Sequence, residues 1–207
     1  EAVGNARKIL VSDQAGRSNL MARLADAGID VEANDPRIAR LLEDVKQREF
    51  LGYAYDGAEA SFELLARRAL GDVPDYFDVE SFRVMVERRH DARGDLVTVS
   101  EAVVKVNVGG EIFHNVGLGN GPVNALDQAL RKDLGKYSAA LSDLRLVDYK
   151  VRILTGGTEA VTRVMVESAD GKGGRWSTVG VSPNIVDASF EALTDSIRYK
   201  LFRDSAR

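Results

Sequence analysis

At 207 residues the chain has room for one large domain or two small ones. With 44% hydrophobic and 29% charged residues it has the composition of a folded globular protein, not of a disordered or fibrous one. An excess of 32 acidic over 28 basic residues leaves no bulk positive field for nucleic acid or anionic lipid, and zero cysteines exclude disulfides, thiolate metal sites and a cysteine nucleophile. No run approaches the roughly 18 consecutive apolar residues of a membrane span, and the opening EAVGNARKIL lacks a signal peptide's apolar core, so a cytoplasmic location is expected. The chain opens on Glu1 rather than methionine, which suggests either a processed product or an excised piece, so a further domain upstream has to be considered.

In the first third, helix caps alternate with helical periodicity. Ser18 precedes Leu20, Met21, Leu24 and Ala25, and the pattern stops at Gly28, where a left-handed C-cap is expected. Asp35 and Pro36 supply a cap and a first-turn proline for a second helix, whose Ile38, Leu41, Leu42 and Val45 share one face. Asp56 and Glu59 form a D-x-x-E variant of the capping box ahead of Phe62, Leu65, Ala66 and Ala69, and Gly71 with Pro74 ends this third helix. The turn-rich Asp72–Tyr76 segment marks a boundary between a helical subdomain, residues 1–75, and a second region, residues 76–207.

From Glu80 the period becomes two. Phe82, Val84 and Val86 alternate with Arg83, Met85 and Glu87, and Ala102, Val104, Val106 and Val108 with Val103, Lys105 and Asn107. Gly109-Gly110 is a hairpin signal leading to a strand over 111–117, after which GNGP opens a helix carrying Leu126, Ala129, Leu130 and Leu134. The βββα unit then recurs, so the units are placed at about 80–136 and 145–203. Glu101-Ala102-Val103 matches Glu159-Ala160-Val161 and Val116-Gly117-Leu118 matches Val179-Gly180-Val181, which puts a five-residue insertion in the SADGKGG hairpin. Ala125 with Ala188, Leu130 with Leu193 and Phe82 with Tyr149 extend the match. The fold class is therefore α+β: a helical subdomain followed by two βββα repeats forming a pseudo-twofold module whose half-covered sheets call for a partner copy, a homodimer burying roughly 1,000 Å² or more.

Chemistry is sparse. GLGNGPVNALDQAL places a glycine-rich turn before a helix whose first amides are unpaired; it is either a tight strand-to-helix turn or an anion-binding end. Its G-x-G-x-G spacing and antiparallel context do not fit a dinucleotide fingerprint. His90 and His114 have no metal-ligand neighbour at a useful spacing, no carboxylate pair reads as acid and base, and no serine sits in a nucleophile elbow. No catalytic residue, metal site or cofactor is therefore assigned to this chain. Arg67-Arg68 and Arg88-Arg89 read as solvated faces.

LVDYKVRIL (146–154), GTEAVTRVMVES and VGVSPNIVDASFEAL resemble the second half of the regulatory domain of the α-isopropylmalate synthase and homocitrate synthase family, and GNGPVNALDQAL resembles its first half. VGNARKILVSDQAGRSN (3–19) and LGYAYDGAEASFELLARRALG (51–71) resemble the linker of the citramalate synthase branch. The resemblance implies a regulatory and dimerisation region, silent on its own, of an acyltransferase that condenses acetyl-CoA with pyruvate in an upstream metal-dependent TIM barrel. It also implies an end-product amino acid effector, isoleucine in preference to leucine, held by Val123 and Asn124 after GNGP, by Leu146, Tyr149 and Ile153, and by Pro183 and Ile185. The apolar members of that set fit a branched side chain, and helix-start amides near Asn124 and Asn184 fit a carboxylate; the same residues would also fit an ordinary dimer core.

Overall fold

Residues 16–157 and 160–205 are described by a computed structural model. Residues 16–26 are helical (α1), followed by α2 (Pro36–Leu51), a 3-10 turn at Tyr55–Gly57 and α3 (Glu59–Leu70). Gly28 and Gly71 adopt the left-handed conformation, with φ of 66° and 81°, and Asp35 accepts a hydrogen bond from the Arg37 amide with Pro36 in the first turn. Two local expectations are corrected. Residues 16 and 17 are already helical, so Ser18 lies inside α1 and is not its N-cap; the helix buries Leu20 and Leu24. The D-x-x-E box does not form: Ala58 is the cap residue, and Glu59 reaches away to accept the Ser177 amide at 3.0 Å. Segment 3–15 of the linker motif lies outside the described residues.

The first repeat is β1 (Asp78–His90), β2 (Leu96–Val108), β3 (Glu111–Gly119) and α4 (Pro122–Lys132). The second is β4 (Arg145–Ile153), β5 (Thr162–Ala169), β6 (Arg175–Ser182) and α5 (Ile185–Ser205). Each sheet is antiparallel and ordered as in sequence, β1-β2-β3 and β4-β5-β6. On the inner faces Val104 and Val106 meet α4, Val164 and Val166 meet α5, and the two helices pack against each other in one core.

Register shows how the repeats correspond. Phe82 pairs with Val104 and Tyr149 with Val166; Ala102 pairs with Gly117 and Val164 with Gly180. Both first strands carry an irregularity at the same place, between Val79 and Ser81 and between Leu146 and Asp148. Equivalent residues are thus offset by 67 in the first strands, 62 in the second and 63 in the third. This corrects the expected equivalence of Ala102 with Ala160, since Ala102 corresponds to Val164; Glu159 lies outside the described residues. The five-residue difference belongs to the connection between first and second strands, where the first repeat has the Asp91–Asp95 turn, and the SADGKGG hairpin is longer by a single residue. A three-residue identity among β-forming side chains carries less information than the hydrogen-bonded ladder, which alone sets register.

Glycine explains the closeness of helix to sheet. A Cβ on Gly117 would run into the backbone of Ala125 and Ala129, and one on the equivalent Gly180 into the Ala188 carbonyl. Gly117 and Gly119 of GLGNG therefore let α4 lie directly on β3.

The helical module covers the second repeat only. Val179 on the outer face of β6 is buried in the core formed by Leu24, Ile38, Leu41, Tyr55 and Phe62. The outward amides of edge strand β6 are satisfied by side chains: Ser177 by Glu59, Val179 by Ser61 at 3.1 Å and Val181 by Glu191 at 3.1 Å. Arg67 and Arg68 are structural rather than simply solvated, because Arg67 pairs with Glu63 at 2.7 Å over the Phe202 ring and Arg68 pairs with Asp195 at 3.2 Å. The corresponding outer face of the first sheet, with Met85, Ile112, Val116 and Leu118, is exposed, Leu118 by 64%.

Candidate functional site

The crossed packing of the repeats leaves a cleft of about 550 Å³ between α4 and β4. Val123, Asn124, Leu146 and Tyr149 all line it. Asp127, Gln128 and Arg131 on α4, with Leu144 and Arg145 leading into β4, complete the walls and were not singled out by sequence. The signal for them was present: residues 124, 127, 128 and 131 share one helix face, and Asp127 with Arg131 is an i,i+4 ion pair. Arg131 Nε donates to Asp127 Oδ1 at 2.9 Å and Nη1 to the Leu144 carbonyl at 2.6 Å, so this guanidinium is consumed in fixing α4 to β4.

The mouth of α4 remains available to an anion. Its cap residue, Gly121, offers no side-chain acceptor, whereas at α5 the Asn184 Oδ1 accepts the Val186 amide at 2.9 Å. Asn124 Oδ1 turns back to the Asn120 amide at 3.3 Å, bracing the turn. Of the two helix starts considered, that of α4 is thus the one without a side-chain cap.

Tyr149 connects the cleft to α5. Its hydroxyl lies 2.7 Å from Ser189 Oγ, and Ser189 donates to the Ile185 carbonyl at 2.6 Å, which makes Tyr149 the donor in the first bond. Burial raises the Tyr149 pKa, so the phenol is neutral and keeps its proton.

Ile153, Pro183 and Ile185 do not line the cleft. The row Ile153–Thr162–Ser182 across the second sheet places Ile153 and Pro183 at one end of that sheet, beyond Tyr149 and Val151 along β4. Ile153 is 67% exposed and Ile185 43%. The candidates thus form a cleft and an uncovered apolar strip leading from it, joined by the Tyr149–Ser189–Ile185 relay. Among the described residues no group of three His, Cys, Asp or Glu side chains is placed to hold a metal, and both histidines are exposed. None of the described helices is long and apolar enough to cross a membrane.

Residues 56–201 match the model of the LeuA allosteric (dimerisation) domain. The chain belongs to that family. It is 51% identical over 205 residues to an (R)-citramalate synthase of Geobacter sulfurreducens, covering 98% of this chain and 38% of the relative. It is 49% identical over 206 residues to an (R)-citramalate synthase of Aquifex aeolicus, covering 99% of this chain and 38% of the relative, and 40% identical over 202 residues to that of Sulfolobus acidocaldarius, covering 96% and 36%. The chain spans under two-fifths of the length of these curated relatives. The βββα repeats are therefore those of a regulatory dimerisation domain, and the resemblance read from the motifs holds at the level of the family.

Proposed function

We propose that this chain is the feedback-regulatory region of an acyltransferase that condenses acetyl-CoA with pyruvate to (R)-citramalate, and that it binds isoleucine in the α4–β4 cleft. The observation that carries this reading is the cleft itself. One end offers an uncapped helix N-terminus for a carboxylate, and Val123, Leu146 and the ring of Tyr149 offer an apolar wall for a branched side chain. Residues 1–75 serve in this reading as the linker toward an upstream TIM barrel with a divalent metal, as the motif resemblance implies; the relatives' greater length leaves room for such a domain. Leucine is the competing effector, differing by one methyl position, and the citramalate-type linker motif is the ground for preferring isoleucine.

Dimerisation completes the pocket in this reading. Val151, Ile153 and Ile185 extend the cleft as an apolar strip that a second copy would cover, bringing Ile153, Pro183 and Ile185 to the effector. Tyr149 then couples occupancy to the start of α5 through Ser189. The cell compartment follows that of the parent enzyme and is taken as the cytoplasm.

Two experiments test the reading. Light scattering should give twice the chain mass at micromolar concentration, and a stable monomer would remove the second copy from the pocket. Isoleucine at a hundredfold over its dissociation constant should stabilise the fold by about 2.7 kcal/mol. A melting curve unmoved by isoleucine but moved by leucine would reassign the effector, and one moved by neither would leave a dimerisation scaffold without effector binding.

A further inference from the structure

The edge strands of the two sheets are not protected alike. At β6 the outward amides of Ser177, Val179 and Val181 end on Glu59, Ser61 and Glu191. β4 is broken by its irregularity between Leu146 and Asp148 and carries Asp148, Lys150 and Arg152. β1 has the matching irregularity between Val79 and Ser81, followed by exposed Arg83, Glu87, Arg88 and Arg89. Bulges and charges of this kind keep one sheet from adding to another. β3, the counterpart of β6, pairs with β2 in unbroken register from Gly119 to Glu111, and its sequence EIFHNVGLG carries a carboxylate only at the first position.

The tight hairpin fixes which backbone groups of β3 are free. Gly109-Gly110 is a two-residue turn closed by the Val108–Glu111 pair, so the odd-numbered residues of β3 bond to β2. Ile112, His114, Val116 and Leu118 therefore turn their amides and carbonyls outward. The last three are the equivalents of Ser177, Val179 and Val181, yet no helical module covers them, and among the described residues their amides have no acceptor. The Val116 carbonyl alone is engaged, by the ammonium of exposed Lys132 at 3.0 Å. A groove of about 480 Å³ flanked by Gln128, Lys132, Leu141 and Ser142 keeps space open beside Val116 and Leu118. The side chains of Ile112, Val116 and Leu118 are exposed as well.

We propose that β3 is a docking edge for the β3 of a second copy, the two strands running antiparallel about a twofold axis at Val116 and joining the first sheets into one. In that register Val116 faces its own copy and His114 faces Leu118, and each pair exchanges both of its backbone hydrogen bonds. No carboxylate faces another, and the exposed apolar side chains of both copies meet on the outer face. This self-complementarity is what selects a second copy, since between Ile112 and Gly119 the strand offers a foreign peptide no carboxylate or ammonium of its own to recognise. The like-charge approach in this arrangement is that of Lys132 to its copy, both exposed and screened by salt. The contact is separate from the apolar strip beside the α4–β4 cleft and depends on neither that strip nor an effector. Where both contacts form, the assembly is a dimer of dimers.

The test is sedimentation equilibrium of the chain from low micromolar to about 1 mM, with amide hydrogen exchange measured at both ends of that range. The average mass should approach double its low-concentration value, whether that value is one chain or a pair. The amides of His114, Val116 and Leu118 should exchange roughly fivefold more slowly at the upper end, and that of Val179 should not change. Val116→Pro removes an amide that lies outside the ladder, so it should keep the fold and abolish the rise in mass. Lys132→Gln removes the ammonium from the Val116 carbonyl and the repulsion between copies, so it should tighten association severalfold. A mass independent of concentration, association that persists in folded Val116→Pro, weaker association in Lys132→Gln, or protection centred on β1 or β4 would overturn the proposal. If Val116→Pro fails to fold, the exchange pattern of the parent and the direction of the Lys132→Gln effect decide it.

Discussion

Lys200 is 1% exposed, yet it carries a charge, and replacing it by methionine tests how the second repeat is locked. Its Nζ lies 3.1 Å from Asp143, 3.7 Å from Asp170 and 2.9 Å from Asp204. These carboxylates belong to the segment before β4, the β5–β6 turn and the end of α5, so one ammonium ties three separate parts of the chain. Methionine matches the stem but leaves the carboxylates facing one another. Removing one partner of a buried pair costs about 3–5 kcal/mol, and since Asp143 and Asp204 retain 32% and 20% exposure, the lower end is expected, about 3 kcal/mol. For a chain of this size that lowers Tm by roughly 6–12 °C. The pH dependence gives an independent signature. Burial opposes the charged form of Asp170, but the Gly174 amide and Lys200 outweigh it; burial likewise opposes Asp204 and is outweighed by Lys200 and Lys172, so both pKa values are lowered. Their contribution is therefore present above the ordinary aspartate value of about 3.9 and lost as pH falls through the lowered values. Burial opposes charged Lys200, but Asp204 and Asp143 raise its pKa on balance, so its contribution is present below about 10.4 and lost as pH rises through the raised value. Thermal melts from acid to alkaline pH should show Lys200→Met far less stable than the parent near neutrality, with the gap closing at both extremes. A gap below about 1 kcal/mol at neutral pH, or one independent of pH, would refute the reasoning.

Gly180→Ala should destabilise by about 1–3 kcal/mol, because the new methyl meets the Ala188 carbonyl, while Gly156→Ala, with open space around it, should stay within about 0.5 kcal/mol. Urea unfolding of the two variants compares them directly. Ser61→Ala removes the acceptor of the Val179 amide and the donor to Asp195, so a loss of about 1–3 kcal/mol is expected, together with faster exchange of the Val179 amide. Leu118→Glu, on the uncovered face of the first sheet, should change unfolding free energy by under about 0.5 kcal/mol in the single chain. A larger loss that grows with protein concentration would place that face in an interface.

The α+β class and the two βββα units were legible because period-two alternation and the glycine turns at 109–110 survive in the sequence. Offsets between the repeats were legible where Gly117 and Gly180 anchor the third strands, since both positions are dictated by a helix lying against backbone. They were misread in the second strands, where valines and alanines are interchangeable and only the ladder decides. Helix ends were read well where an element carries its own cap, as at Asp35, and poorly where a distant strand intervenes, as at Glu59, whose partner Ser177 is 118 positions away. Four of the seven effector candidates meet in one cleft; Ile153, Pro183 and Ile185 lie on a strip beside it, because no period in the sequence encodes which apolar positions a second copy would cover.

The most direct test of the central claim is calorimetry of isoleucine binding to the parent chain and to Val123→Asp. The parent should bind one isoleucine per chain, and the variant should stay folded and dimeric but bind none, because the new carboxylate is unpaired against Leu146 and Tyr149 and repels the ligand's own. Equal isoleucine affinity in both proteins would show that the effector does not occupy the α4–β4 cleft.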